Sequence, residues 1–278
     1  MSGDPGAVRR LAGLAAALAA GVLAACTTTS STTTAPVAAG TGPRDRVTAS
    51  DEPDHARRAR VRMELAAAYF GRGQLDTALD EVKLAIAAEP GNAAAHNLRG
   101  LIYASLGDER LAEESFRQAM KLDPRDADTM QNFGWFLCQQ KRYGEADTMF
   151  RQALAVPRYR EAPRTLLTAG ICQARAGQWS QAEGTLTKSY ELDPGNPAIA
   201  VNLSEVLYQR GDLERARFHI RRVNSNADLA SAHTLWLAAR IENKLGNRQG
   251  AQDLGHQLRA RFPSSPEARR FERGQFDE

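Results

Sequence analysis

One spacing constrains this chain more than any other feature: from residue 59 onward, small residues, turn residues and prolines each return about every 34 positions. Alanines stand at 78, 112, 146, 182, 216 and 251, with steps of 34, 34, 36, 34 and 35. Glycines stand at 73, 107, 177, 211 and 246, and Lys141 fills the third slot of that series. Prolines stand at 90, 124, 157, 194 and 263, and Asp228 takes the place of the missing one. Each alanine falls mid-way along the second helix of a unit, where a larger residue would push the paired helix away. Each glycine permits a tight turn between helices. Each proline follows a completed helix that it cannot continue. No strand-like Val/Ile/Thr alternation follows residue 55, so the body is expected to be all-α. Six helix-turn-helix units then occupy 59–263 and leave 264–278 as a C-terminal tail.

The clearest copy is AAAHNLRGLIYASLGDERLAEESFRQAMKLDP, residues 93–124. Its Gly100, Tyr103, Gly107, Ala112, Phe116, Ala119 and Pro124 resemble the tetratricopeptide repeat, with Arg99 where that repeat usually has leucine. The resemblance implies a superhelix of six units with first helices lining a concave face. Side chains near positions 2, 5, 9, 12 and 13 of each first helix would then face a groove. That places Met63, Ala67 and Phe70 from repeat one, Asn97 and Leu101 from repeat two, Gln131 and Trp135 from repeat three, and Leu167 and Ile171 from repeat four. An apolar trough with amide rims suits an extended peptide or an amphipathic helix of another protein, with Trp135 its foremost residue. The plainer reading, that Phe70 and Trp135 only pack between neighbouring helices, stays open.

Ahead of the repeats, Arg9 and Arg10 precede an apolar run of 15 residues from Leu11 to Ala25. As a helix that run rises about 22 Å, short of the roughly 30 Å of a hydrocarbon core. A charged start, a short apolar centre and a small-residue exit describe a secretory signal peptide over 1–25. Leu23-Ala24-Ala25-Cys26 resembles the bacterial lipobox, which implies an acylated Cys26 as the first residue of the mature protein. An ordinary signal with a coincidental cysteine is the rival reading. Thr27 stands where aspartate would resemble the inner-membrane retention signal, so the outer membrane is the expected destination. Residues 26–58, rich in Thr and Ser near their start and without aromatics, cannot bury enough apolar surface to offset their ordering entropy. They are expected to form a disordered tether, reaching roughly 30 Å as a coil.

Composition narrows the chemistry. Removing the signal lowers the formal net charge from +3 to +2, and Lys and Arg are interleaved with Asp and Glu, which is no nucleic-acid footprint. The five histidines show no H-x-x-x-H spacing, and no nucleophile elbow or phosphate loop occurs. Carboxylates such as Glu113 and Glu114 fall on solvated helix faces. No catalytic residue, metal site or cofactor is therefore expected, and no small-molecule substrate. Cys138 and Cys172 remain once Cys26 is set aside. In an exported protein an even remainder suits a disulfide across the repeat-three/four junction, where the period lengthens to 36. Two buried small hydrophobes would explain the pair equally. Counted from their own repeat starts, Cys138 holds position 12 and Cys172 position 10, on different helix faces.

Three stretches carry more than generic repeat residues. NFGWFLCQQKRYGEADTMFRQALAVPRYREAPR (132–164), LYQRGDLERARFHI (207–220) and LWLAARIENKLGNRQGAQDLGHQLRARFPSSPEAR (235–269) resemble the type IV pilus biogenesis and stability lipoproteins, the pilotins of the pilus secretin. The aromatic-rich FGWFLC helix and the connection holding Pro157 and Tyr159 are the distinctive parts. The resemblance implies a lipid-anchored adaptor at the periplasmic face of the outer membrane. It would bind secretin subunits and promote their localisation and multimerisation. A scaffold lipoprotein of another periplasmic complex, such as a cell-wall synthase, would share the architecture with a different client.

Overall fold

The computed structural model describes residues 53–276, and the expected signal peptide, Cys26 and most of the expected tether lie outside them. Among the described residues all regular structure is helical, in six antiparallel pairs followed by one short helix. The pairs are α1 (Asp54–Gly71) with α2 (Leu75–Ala88), α3 (Ala93–Leu106) with α4 (Glu109–Leu122), and α5 (Ala127–Gln139) with α6 (Tyr143–Ala155). They continue as α7 (Ala162–Arg175) with α8 (Trp179–Leu192), α9 (Pro197–Arg210) with α10 (Leu213–Asn224), and α11 (Ala232–Lys244) with α12 (Arg248–Arg261). The last helix is α13 (Pro266–Glu272).

Local chemistry sets the helix starts. Asn92, Asp108, Asp126, Asn196, Asp212, Ser231, Asn247 and Ser265 each accept a backbone N–H of their helix's first turn. At Ser231 the bond is reciprocal, because Thr234 Oγ1 accepts the Ser231 N–H at 2.9 Å. Between the two helices of a unit, Gly73, Gly107, Gly177, Gly211 and Gly246 hold φ of 72° to 81°, and Lys141 adopts the same left-handed conformation at 59°.

The periodic alanines, from Ala78 to Ala251, are all buried. Close approach within a pair is sharpest at Gly170, where an added Cβ would lie 2.5 Å from Leu186 Cγ. No side chain fits there without separating α7 from α8. The core runs through the array as a chain of linked clusters, such as Phe116, Phe133, Phe136 and Phe150 in repeats two and three.

Two boundaries differ from the sequence expectation. The tether was expected to reach residue 58, whereas α1 begins at Asp54. DHARRAR reads as solvated chain, yet Asp54 suits the positive end of a helix and pairs with Arg57 at 3.6 Å, while Ala59 is fully buried. The tail over 264–278 contains α13. Ala268, Phe271 and Phe276 pack against Leu235, Trp236 and Leu258, so these residues cover the open end of repeat six. Phe271 lies so close to Gly255 that a Cβ there would fall 2.0 Å from its ring.

The repeat-three/four junction follows the disulfide reading of the two cysteines. The structure joins Cys138 and Cys172 in a disulfide, with Cα atoms 5.8 Å apart. Their different helix faces do not oppose this bond. Neighbouring first helices are related by a near-translation, so the face one turns forward must meet the opposite face of the next. Two residues of helix are about 200° of rotation, which is that opposition. The connection beside it is pinned by Tyr159, whose hydroxyl donates to Asp128 Oδ1 at 3.1 Å and lies 3.0 Å from Thr165 Oγ1.

Candidate functional site

The surface built by the first helices divides into regions of different character. Met63 and Phe70 are half-buried and pack on Ala66, Val82, Leu98 and Ile102. Asn97 is also half-buried, and its Oδ1 accepts Asn132 Nδ2 at 3.3 Å, tying α3 to α5. Leu101 and Trp135 rest on the stacked Phe116–Phe133–Phe136 cluster. With Ser105, Asn132 and Gln139 they line a hollow of about 230 Å³. The Arg175 guanidinium lies over the Trp135 ring, 4.7 Å from its centroid, so one indole both packs and holds a cation.

Gln131 departs from the expected groove. It is only 7% exposed, and its buried Oε1 has no hydrogen-bond partner. The cause is the setting of α5, which α3 and α7 flank on either side and the disulfide draws toward α7. Nine of its 13 residues are buried as a result. Leu167 packs into the next cluster, with Leu203, Val206 and Leu207.

Ile171 opens on a larger space, a cavity of about 480 Å³ between α7, α8, α9, α11 and α13. Its floor is Val206, Tyr208, Trp236 and Leu237, all buried, and Trp179 stands at its rim with 39% exposure. Charged groups surround that floor. His233 Nε2 meets Glu205 Oε1 at 2.8 Å, joining α11 to α9. The hydrogen bond to Glu205, helped by the charges of Glu205 and Glu267, raises the His233 pKa against burial and the nearby Arg240. Arg240 and Lys244 stand 4.7 Å and 4.3 Å from the centroid of the Tyr208 ring. Arg240 Nε also donates to the Phe276 carbonyl at 2.9 Å, and Phe276 stacks on Trp236 with centroids 5.2 Å apart.

Sequence reasoning stopped one step short of this cavity. The groove register applied to repeats one to four also runs through the last two repeats. There it selects Glu205, Tyr208 and Gln209 on α9, then His233, Trp236, Arg240 and Lys244 on α11. The signal was present in the register and hidden by its residue types, since a search for an apolar trough passes over Glu, Arg and His.

Chemically, this face offers apolar floors, amides and ion-paired or π-stacked cations. The carboxylate of Glu113, on the outer side, is held below its usual range by hydrogen bonding from Arg142, as a structural ion pair holds it. Among the described residues no cluster of His, Cys, Asp and Glu is placed to hold a metal ion, and no helix is long and apolar enough to cross a membrane.

Tetratricopeptide-repeat models match residues 93–126, 127–158 and 173–238. The chain is 28% identical over 219 residues to the type IV pilus assembly protein PilF of Pseudomonas aeruginosa, across 79% of this chain and 86% of that protein. The solved structure of Pseudomonas aeruginosa PilF aligns with a TM-score of 0.68 at 26% identity, covering 80% of this chain and all of that one. The crystal structure of PilW, a widely conserved type IV pilus biogenesis factor, aligns with a TM-score of 0.72 at 32% identity, covering 77% of this chain and 97% of that one. With this repeat architecture and likeness along nearly the full length of both relatives' structures, the chain belongs to the tetratricopeptide-repeat family of type IV pilus biogenesis proteins.

Proposed function

We propose that this protein is a pilotin: a lipid-anchored adaptor at the periplasmic face of the outer membrane that binds pilus secretin subunits and promotes their localisation and multimerisation. The likeness to PilW over 97% of that chain carries the reading. Leu23-Ala24-Ala25-Cys26 supports an anchor through an acylated Cys26, and the Thr/Ser-rich stretch after it supplies reach. Anchoring raises the local concentration of adaptor where the ring assembles, so a modest affinity for each subunit suffices. The concave face offers the handle, in the manner of repeat scaffolds that hold a peptide or helix in a groove. The protein acts by binding alone and uses no cofactor.

The test is the fraction of secretin recovered as heat-resistant multimer from wild-type cells, deletion cells and cells carrying Cys26→Ser. Multimers are expected to vanish in the deletion and to fall, or move to the inner membrane, with Cys26→Ser. Normal secretin assembly in the deletion strain would reject the pilotin reading and leave a tethered scaffold for a different periplasmic complex.

A further inference from the structure

The cavity over repeats four to six is not filled by packing within the repeats, and its chemistry is specific. Three cations line it, Arg175, Arg240 and Arg270, and Lys244 stands beside it on Tyr208. Among the described residues none of the four has a carboxylate partner: Arg175 lies on Trp135, and Arg240 gives its Nε to a backbone carbonyl. Of the two carboxylates in the lining, Glu205 is engaged by His233 at 2.8 Å. Three arginines against two carboxylates, Glu205 and Glu267, leave a net positive charge around an apolar floor, and the complement of that surface is an apolar group next to an anion.

Two further observations point to a polypeptide. Asn202 and Gln209 both line the cavity from α9, seven residues apart. That is about 10.5 Å along a helix, close to three residues of extended chain. Asn202 Nδ2 donates to the Ala198 carbonyl at 2.7 Å, which leaves its Oδ1 and the Gln209 amide to meet backbone groups of a strand. The protein also shows how this wall holds a residue from outside the repeats, since Phe276 is gripped by its ring on Trp236 and by its carbonyl on Arg240.

We infer that this cavity receives an extended segment of the partner in which an aromatic or aliphatic residue is followed closely by an aspartate or glutamate. The apolar side chain lies on the Tyr208–Leu237 floor and the carboxylate meets Arg175 and Arg270. As the identity of the partner, this rests on the pilotin reading; as a peptide specificity, it stands on the cavity.

The experiment uses the full chain in detergent and two fluorescein-labelled heptapeptides, one alternating Phe or Leu with Asp, the other carrying Asn in place of each Asp. By fluorescence anisotropy the Asp peptide is expected to bind at least about tenfold more tightly, as charge-assisted pairing implies. Replacing both Arg175→Gln and Arg270→Gln should erase that preference, while Arg160→Gln, exposed and elsewhere, should keep it. Circular dichroism reports whether the double variant stays folded; if it does not, Arg270→Glu alone, at an exposed position of α13, must abolish the preference. Equal binding of the two peptides, or a preference surviving in a folded double variant, overturns the inference. Secretin assembly in deletion cells is read separately, so either idea can fall without the other.

Discussion

Lys141 is asked to do what glycine does at five sister turns. Its φ of 59° sits in the left-handed region, where a side chain costs roughly 1–2 kcal/mol, while glycine returns roughly 0.5–1 kcal/mol of that through its own chain entropy. Lys141→Gly should therefore raise the stability of the protein by about 0.5–1 kcal/mol. Urea unfolding would show a higher midpoint with an unchanged slope, and a lower midpoint would contradict the account. This strain is legible in the sequence, because a lysine fills one slot of the glycine series. Gln131 was not. Register gives the direction a side chain leaves its helix, but not how tightly the neighbouring helices close over it.

At the scale of the element, the disulfide gives the clearest test. It closes a loop between residues 34 apart in sequence, for which chain-entropy arguments give about 2–4 kcal/mol. Unfolding in urea with reductant should lose about that much stability, and Cys172→Ala should match the reduced protein. Identical midpoints with and without reductant would show that the bond constrains nothing. The sequence supplied both cysteines and the lengthened period beside them. It also suggested an objection, which failed because helices related by translation meet through opposite faces. The start of α1 was missed for another reason: a single buried alanine, Ala59, and one turn of charged residues are too little pattern to separate helix from solvated chain.

For the described body, stability is a sum of repeats and the interfaces between neighbours, so its two ends matter differently from its middle. The end of repeat six depends on Ala268, Phe271 and Phe276, which cover Leu235, Trp236 and Leu258. Removing residues 264–278 should uncover that surface and open α11 and α12 locally. Hydrogen exchange would then quicken in those two helices and stay unchanged in α1 to α4. Uniform loss of protection across the array would refute a nearest-neighbour picture. Six repeats and their turns were readable because each recurs with the same chemistry. The cap was not, since α13 occurs once, spans seven residues and carries Arg269 and Arg270 among few apolar ones. The large cavity was obscured likewise, because it is assembled from five helices and marked by charge.

The Cys138–Cys172 bond also stands between two recesses, the small one at Leu101 and Trp135 and the large one at Tyr208 and Trp236. A covalent link between α5 and α7 turns that junction into a gauge: the helix that carries Trp135 and the helix that opens the large recess at Ile171 keep one separation while other joints flex. Any strand long enough to touch both must present its two anchoring side chains at one fixed interval, and a strand with the right residues at the wrong interval is refused. Cutting the bond would relax that measure before it loosened the grip of either recess.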